Sequence, residues 1–153
     1  MKDPIQKYFQ VGTIQWMTHP PVNYPILDSV KTICCDEYFN ALEITHIEDQ
    51  ETKDKVRDML AQTPMKVCYG AQPRLLGPKL NPNDLDEEGR KKAEAVLMDS
   101  VDEARYMGAK GIAFLAGKWE PETKDQAYAQ LLKTTRAVCS YAASKKMMVE
   151  LEV

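Results

Sequence analysis

Residues Arg90 to Gly117 read RKKAEAVLMDSVDEARYMGAKGIAFLAG and contain the clearest structural signals in the chain. Apolar residues recur there at intervals of three and four, which predicts one buried face of a helix over about residues 85–107. Gly108 is a good end for that helix, because glycine readily adopts the left-handed conformation found at helix C-termini. The run GIAFLA, residues 111–116, predicts a strand directly afterwards. The apolar helix face comprises Ala93, Val96, Leu97, Ser100, Val101, Ala104 and Met107.

The same alternation of helix and strand continues on both sides of this segment. Further strands are predicted at residues 11–17, 41–47, 65–70 and 147–153, where β-branched, aromatic and aliphatic residues cluster. Further helices are predicted at residues 25–39, at residues 50–62 and from Pro121 onward, and a proline-rich loop at residues 71–82. The predicted order is β-α-β-α-β-α-β-α-β. Connections of this length are right-handed and produce a parallel sheet.

Two α/β architectures accept this order: an open doubly wound sheet and the first part of a (β/α)8 TIM barrel. Open nucleotide-binding sheets usually carry a glycine-rich turn after the first strand, but here that turn reads MTHPP, residues 17–21. Polar or aromatic residues instead follow every predicted strand, and in a barrel these strand ends meet at one mouth. We therefore favour the TIM-barrel-type fold, of which about five strands and four helices are present.

Five strands cannot close a ring of eight, which normally needs about 250 residues. We therefore expect residues 1–153 to form a single domain that is the N-terminal part of an incomplete barrel. The last predicted strand leaves an unpaired edge, which favours pairing with other chain segments. We expect association with another copy or with the missing C-terminal half.

Composition limits the possible partners. Hydrophobic residues make up 44% and charged residues 28% of the 153 residues, a balance typical of globular domains. The formal net charge is −3, from 20 Lys and Arg against 23 Asp and Glu, which gives no general attraction to nucleic acid or anionic membranes. No apolar run approaches the roughly 20 residues that cross a bilayer, and the N-terminus MKDPIQKYFQ lacks the apolar stretch of a secretory signal. We predict a cytoplasmic protein with no nucleic-acid or membrane partner, whose four cysteines remain free thiols.

Three segments in a fixed order resemble the sugar phosphate isomerase/epimerase superfamily of xylose isomerase-like barrels. ALEI, residues 41–44, resembles the second strand of that family, with Glu43 after an aliphatic residue. Arg90 to Gly117 resembles its third helix and fourth strand, and MMVELEV, residues 147–153, resembles its fifth. The resemblance covers nearly the whole chain but only about the first five-eighths of the family's barrel. It implies a metal-dependent isomerase or epimerase that acts on a small sugar, sugar phosphate or polyol.

The resemblance places the family's first metal ligand on Glu152, which would also be a candidate catalytic base. Strand alternation agrees, because Glu150 and Glu152 share one face while Val149, Leu151 and Val153 share the other. In a barrel the aliphatic face packs on helices, so both carboxylates point inward and call for a compensating cation. The implied cofactor is a divalent metal, Mn²⁺, Mg²⁺, Co²⁺ or Zn²⁺. The remaining ligands would come from later strands, so we expect these 153 residues alone to bind metal weakly and to be inactive.

Five further residues are candidates for substrate binding at the mouth of the barrel: Trp16, His19, Glu43, Gln72 and Lys118. The resemblance implies that they shape the pocket and bind hydroxyl or phosphate groups. Each also has a purely structural interpretation: Trp16 as a packed aromatic, Glu43 in a rim salt bridge, His19 and Gln72 as solvated loop residues, and Lys118 as part of a helix start.

Two other functions remain open. One is a non-catalytic, open-sheet α/β module that binds a partner or ligand. The other is a metal-dependent nuclease like the AP endonuclease relatives of the same superfamily. Those relatives place a metal-binding histidine after the third strand, where this chain has Gln72, and the acidic net charge also weighs against nuclease activity. The coding sequence after Val153 would separate the alternatives.

Overall fold

A computed structural model describes residues 4–153 of the protein. Within these residues, five parallel strands form the inner layer. The strands are β1 (Gly12–Ile14), β2 (Ala41–Ile44), β3 (Lys66–Tyr69), β4 (Gly111–Leu115) and β5 (Met148–Glu152). β1, β2 and β3 pair in that order, and β4 pairs with β5. A bridge between Gly70 and Ala113 joins the two groups, with the Ala71 amide donating to the Ala113 carbonyl at 2.8 Å. The strands therefore follow one another in chain order across a single layer.

Helices connect the strands and cover their outer side. They are α1 (Gln15–Thr18), α2 (Ile26–Cys34), α3 (Gln50–Ala61), α4 (Gln72–Leu76), α5 (Glu87–Tyr106) and α6 (Lys124–Ser144), with 3-10 turns at Ile5–Lys7 and Pro121–Thr123. The carboxylates of Asp49 and Asp86 cap α3 and α5, each accepting a backbone N–H bond at 2.8 Å. Gly108 follows α5 with a φ of 85°, as predicted for the end of that helix. None of the helices within residues 4–153 is long and apolar enough to cross a membrane.

The hydrophobic core lies between the outer face of the strands and the helices. Leu42 and Ile44 of β2, and Ile112 and Phe114 of β4, are almost fully buried there. The predicted face of α5 is confirmed, because Ala93, Leu97, Val101 and Ala104 have no exposed surface. Alternation along the strands leaves the opposite positions, including Glu43, for the inner face. Packing of the outer face thus determines which side chains point inward.

The sequence prediction was wrong at two short segments. Residues 15–17 are helical, because the buried Gln15 side chain donates to the Ser29 hydroxyl at 2.9 Å and so ties α1 to α2. The predicted loop at residues 71–82 contains α4, which has proline in its first turn. The described chain therefore contains six helices: the four predicted connecting helices and two short ones. Both short helices follow strand ends, where they carry candidate site residues.

Candidate functional site

Three predicted site residues converge on Gly70, directly after β3. A Cβ atom built at Gly70 would collide with the Trp16 ring, and it would lie 2.5 Å from Gln72 Oε1 and 2.6 Å from Glu43 Oε1. These side chains come from α1, β2 and α4, so three separate segments meet at one point. Gly70 is itself buried, and no other residue type would leave room for this arrangement. Trp16, Glu43 and Gln72 thus meet around Gly70 at the carboxyl ends of β1, β2 and β3, and we call this arrangement the Gly70 corner.

Hydrogen bonds hold this corner together. The Gly70 amide donates to the Ile44 carbonyl at 2.8 Å, and the Thr45 hydroxyl donates to the Gly70 carbonyl at 2.7 Å. Gln72 Oε1 is buried and has no hydrogen-bond partner among residues 4–153. A buried polar atom without a partner is costly, unless water or a ligand satisfies it. Gln72 is therefore suited to accept a hydrogen bond from a bound hydroxyl group.

Three carboxylates interact electrostatically across the inner face. Burial raises the pKa of the Glu43 carboxyl, and the nearby charges of Glu152 and Glu150 raise it further. Glu43 lies on β2 while the other two lie on β5, so residues on strands that do not pair with each other interact across the inner face. The expectation that Glu150 and Glu152 share the inner side agrees with this interaction. Val149, directly before Glu150 in the strand, packs against the core on the outer side.

Cys68 is a member of the inner face that the sequence analysis did not single out. It pairs in register with Glu43 across β2 and β3. Burial raises the pKa of the Cys68 thiol, and the charges of Glu43 and Glu150 add to that effect. A thiol held in its neutral form is a weak nucleophile and a weak metal ligand. Strand alternation from Glu43 to its β3 neighbour was the signal that could have identified it.

The carboxylates of the inner face carry negative charge that would attract a cation, but they do not provide enough ligands to complete a coordination shell. Clustered carboxylates near a hard divalent cation would lose their mutual repulsion. Within residues 4–153, however, no group of three or more His, Cys, Asp or Glu side chains is arranged to hold a metal ion. A role for Glu152 as a metal ligand therefore stays a prediction, and a metal bound there would need ligands beyond those that the described residues bring together.

The structure does not draw the other two candidates into the Gly70 corner. The His19 ring lies 3.1 Å from the Thr18 hydroxyl and packs edge-on against Tyr24 at 5.1 Å. Lys118 is exposed in the segment after β4, where its carbonyl accepts a hydrogen bond from the Asn81 amide at 2.9 Å. Both residues follow strand ends, so a role at the rim stays a prediction.

Comparison with known proteins agrees with this geometry. A model of the xylose isomerase-like TIM barrel matches residues 36–153. The chain belongs to this family. Among solved structures, it is similar to a D-tagatose 3-epimerase-like protein, with a TM-score of 0.76, 13% identity, and coverage of 94% of this chain and 52% of that one. An L-ribulose 3-epimerase gives a TM-score of 0.78 at 14% identity, with coverage of 94% and 49%.

SacUVDE matches with a TM-score of 0.60 and 12% identity, with coverage of 93% of this chain and 60% of that one. Identities this low demonstrate the shared fold alone. No curated protein has a sequence that matches this chain. The chain spans about half the length of these D-tagatose 3-epimerase-like and L-ribulose 3-epimerase structures, and the five strands within residues 4–153 do not close a barrel.

We expect Gly70→Ala to disrupt the Gly70 corner. The new methyl group must displace Trp16, Glu43 or Gln72, and overpacking of this kind typically costs about 1–3 kcal/mol. In a Trp119→Phe background, Trp16 is the remaining tryptophan, so its fluorescence reports the displacement directly. Gly77→Ala is the matched control, because its Cβ would meet only the Pro73 carbonyl at 3.2 Å. Equal effects of the two substitutions on emission and on urea unfolding would contradict the proposed crowding.

We expect Glu43→Gln to stabilise the protein in a pH-dependent manner. The folded-state pKa of Glu43 lies above its ordinary value of 4.5, so the folded state binds more protons than the unfolded state above that pH. Stability is therefore lost as the pH rises through this window, and the substitution removes the loss. The variant should exceed wild type in unfolding free energy near pH 8, with a smaller difference near pH 4. Glu37→Gln, at an exposed position, serves as the control; a difference that does not vary with pH would refute the assignment.

Proposed function

We propose that this chain is the N-terminal part of a metal-dependent isomerase or epimerase that acts on a small sugar, sugar phosphate or polyol. The observation that carries the proposal is the inward-facing set of Glu43, Glu150 and Glu152, next to the Trp16 and Gln72 corner. Its membership of the xylose isomerase-like family and its fold similarity to sugar epimerases support the same chemistry. Active sites of TIM barrels lie at this end of the strands.

Each polar group of the corner has a task in binding a polyhydroxylated substrate. The Trp16 ring offers an apolar surface for the carbon-bound hydrogens of a sugar, and Gln72 Oε1 accepts a hydrogen bond from a hydroxyl group. Glu43, with its raised pKa, retains a proton at higher pH than an ordinary carboxyl and can donate it to a substrate oxygen. His19 and Lys118 would contact outer hydroxyl or phosphate groups at the rim.

The proposed reaction is proton transfer at a carbon next to a carbonyl. Glu152, in its carboxylate form, accepts the proton from one face of that carbon, and a second carboxylate outside the described residues returns it. A divalent metal, with Glu152 as one ligand, would polarise the carbonyl and stabilise the negative charge that develops there. The further ligands would come from additional strands of the complete barrel. We therefore propose that the 153 residues alone bind metal weakly and are inactive.

We expect proton exchange with solvent in the protein expressed from its complete coding sequence. In D2O with Mn²⁺, incubation with L-ribulose or D-tagatose should remove the proton signal at C3 of the sugar, because removal and return of that proton pass through solvent-exchangeable carboxyls. Glu152→Gln should slow the exchange at least about 100-fold, the lower range for loss of a general base. The signal is followed by ¹H NMR.

Glu37→Gln, at an exposed position, is the control and should retain the wild-type rate. The proposal fails if the complete protein exchanges the C3 proton of neither sugar, or if Glu152→Gln exchanges it as fast as wild type. Addition of EDTA should abolish the exchange, which tests the metal requirement separately.

A further inference from the structure

Glu103 is a buried carboxylate outside the proposed site, on the last turn of α5. Its side chain is only 6% exposed. It accepts hydrogen bonds from the His46 ring at 2.6 Å, the Tyr69 hydroxyl at 2.7 Å and the Ile47 amide at 3.1 Å, and the Lys53 ammonium lies 3.0 Å away. We call this set, together with Arg74 at 3.8 Å, the Glu103 cluster.

The cluster keeps Glu103 ionised. Burial acts to raise the pKa of this carboxyl, but the hydrogen bonds from His46, Tyr69, the Ile47 amide and Lys53 outweigh it and hold the pKa below its ordinary value. Tyr69 keeps its proton, because burial and the Glu103 charge raise the pKa of the phenol. A buried ion pair is weak evidence for a gain in stability, and its best-attested use is to select one arrangement of the chain. Glu103 is therefore suited to selecting one arrangement of the chain segments to which its donors belong.

Three of the donors belong to the two segments that place Glu43 and Gly70, whereas Lys53 lies on α3. His46 and Ile47 follow β2, three and four residues after Glu43. Tyr69 is the last residue of β3, directly before Gly70.

The same helix also fixes α4, the segment of Gln72. Arg74 lies two residues after Gln72, and its guanidinium bonds to the Asp99 carboxylate at 2.7 Å and the Ser100 hydroxyl at 3.0 Å on α5. One face of α5 thus holds the segments after β2 and after β3 from the outer side. The Glu43 and Gln72 side chains, which these segments place next to Gly70, point to the inner side.

We propose that Glu103 is a positioning residue, which sets the distance between Glu43 and Gln72 by fixing the segments that carry them. The site residues concerned are those of the proposed function, but the claim on their geometry needs no substrate. The carboxylate replaces solvent as the common acceptor for the ends of β2 and β3. Without it, His46, Tyr69 and the Ile47 amide lose their shared partner, and the two segments are free to move apart.

The test compares Glu103→Gln with Glu94→Gln on the same helix. Glu94 is a matched control, since its side chain is 10% exposed and pairs with Arg90 at 2.6 Å and Lys91 at 2.7 Å. It lies on the side of α5 that faces α6, where Arg90 also contacts Thr134 at 3.0 Å. Both substitutions remove one buried charge and leave the donors with a neutral amide. A purely structural role predicts the same outcome for both.

The readout is the titration of Glu43, measured by ¹³C NMR of its side-chain carboxyl without substrate. We expect Glu103→Gln to move the Glu43 midpoint by roughly half a pH unit or more, because its distance from neighbouring charges changes. Glu94→Gln should leave the midpoint in place, even where it lowers the urea midpoint equally. If Glu103→Gln does not fold, Tyr69→Phe removes a single donor and should produce a smaller shift in the same direction.

The proposal is overturned if the Glu43 midpoint is the same in wild type and in every folded Glu103-cluster variant, or if Glu94→Gln moves it as much. Failure of the proposed function gives a different pattern. In that case the sugar proton does not exchange in wild type, while Glu103→Gln still shifts the Glu43 titration.

Discussion

The lack of a side chain at Gly70 is the constraint on which both the layer and the site depend. At this residue the three-stranded and two-stranded parts of the sheet meet through a bridge to Ala113. The same position receives Trp16, Glu43 and Gln72, each of which would collide with a Cβ atom. A larger residue would have to push apart either the backbones or the side chains. The close approach of backbone and side chains at Gly70 thus has two results: the parallel layer is continuous, and the three side chains meet.

Carboxylates serve opposite purposes on the two sides of this layer. On the inner side, burial raises the pKa of Glu43, and the charges of Glu152 and Glu150 raise it further. On the outer side, Glu103 is surrounded by donors that lower its pKa. The inner carboxylates interact unfavourably with one another, whereas the outer carboxylate accepts hydrogen bonds that join chain segments. This division follows from which partners the fold supplies, since both sides contain the same chemical group.

Prediction from the sequence succeeded where periodic burial dominates. The long helix α5 and the strand β4 match their predicted positions within about two residues, because a repeating apolar face reports directly on packing. It failed at α1 and α4, which are too short to show a period. Their helical conformation depends on contacts with distant residues, such as Gln15 with Ser29. The resemblance to a known family implied a role for Glu152, which stays a prediction. Cys68 was missed although strand alternation could have indicated its side of the sheet, and Glu103 carried no local signal of its burial.

The sequence by itself determined the order of strands and helices, the aliphatic outer face, and the inward side of Glu150 and Glu152. These properties follow from spacings of two, three or four residues, which local chain geometry converts into faces. Only the tertiary structure decided that Trp16, Glu43 and Gln72 meet at Gly70. Contacts of this kind join residues that are far apart in the chain. They depend on how the strand ends align and on which helix packs behind the strands. No local pattern encodes that alignment, because it arises from the packing of all segments together.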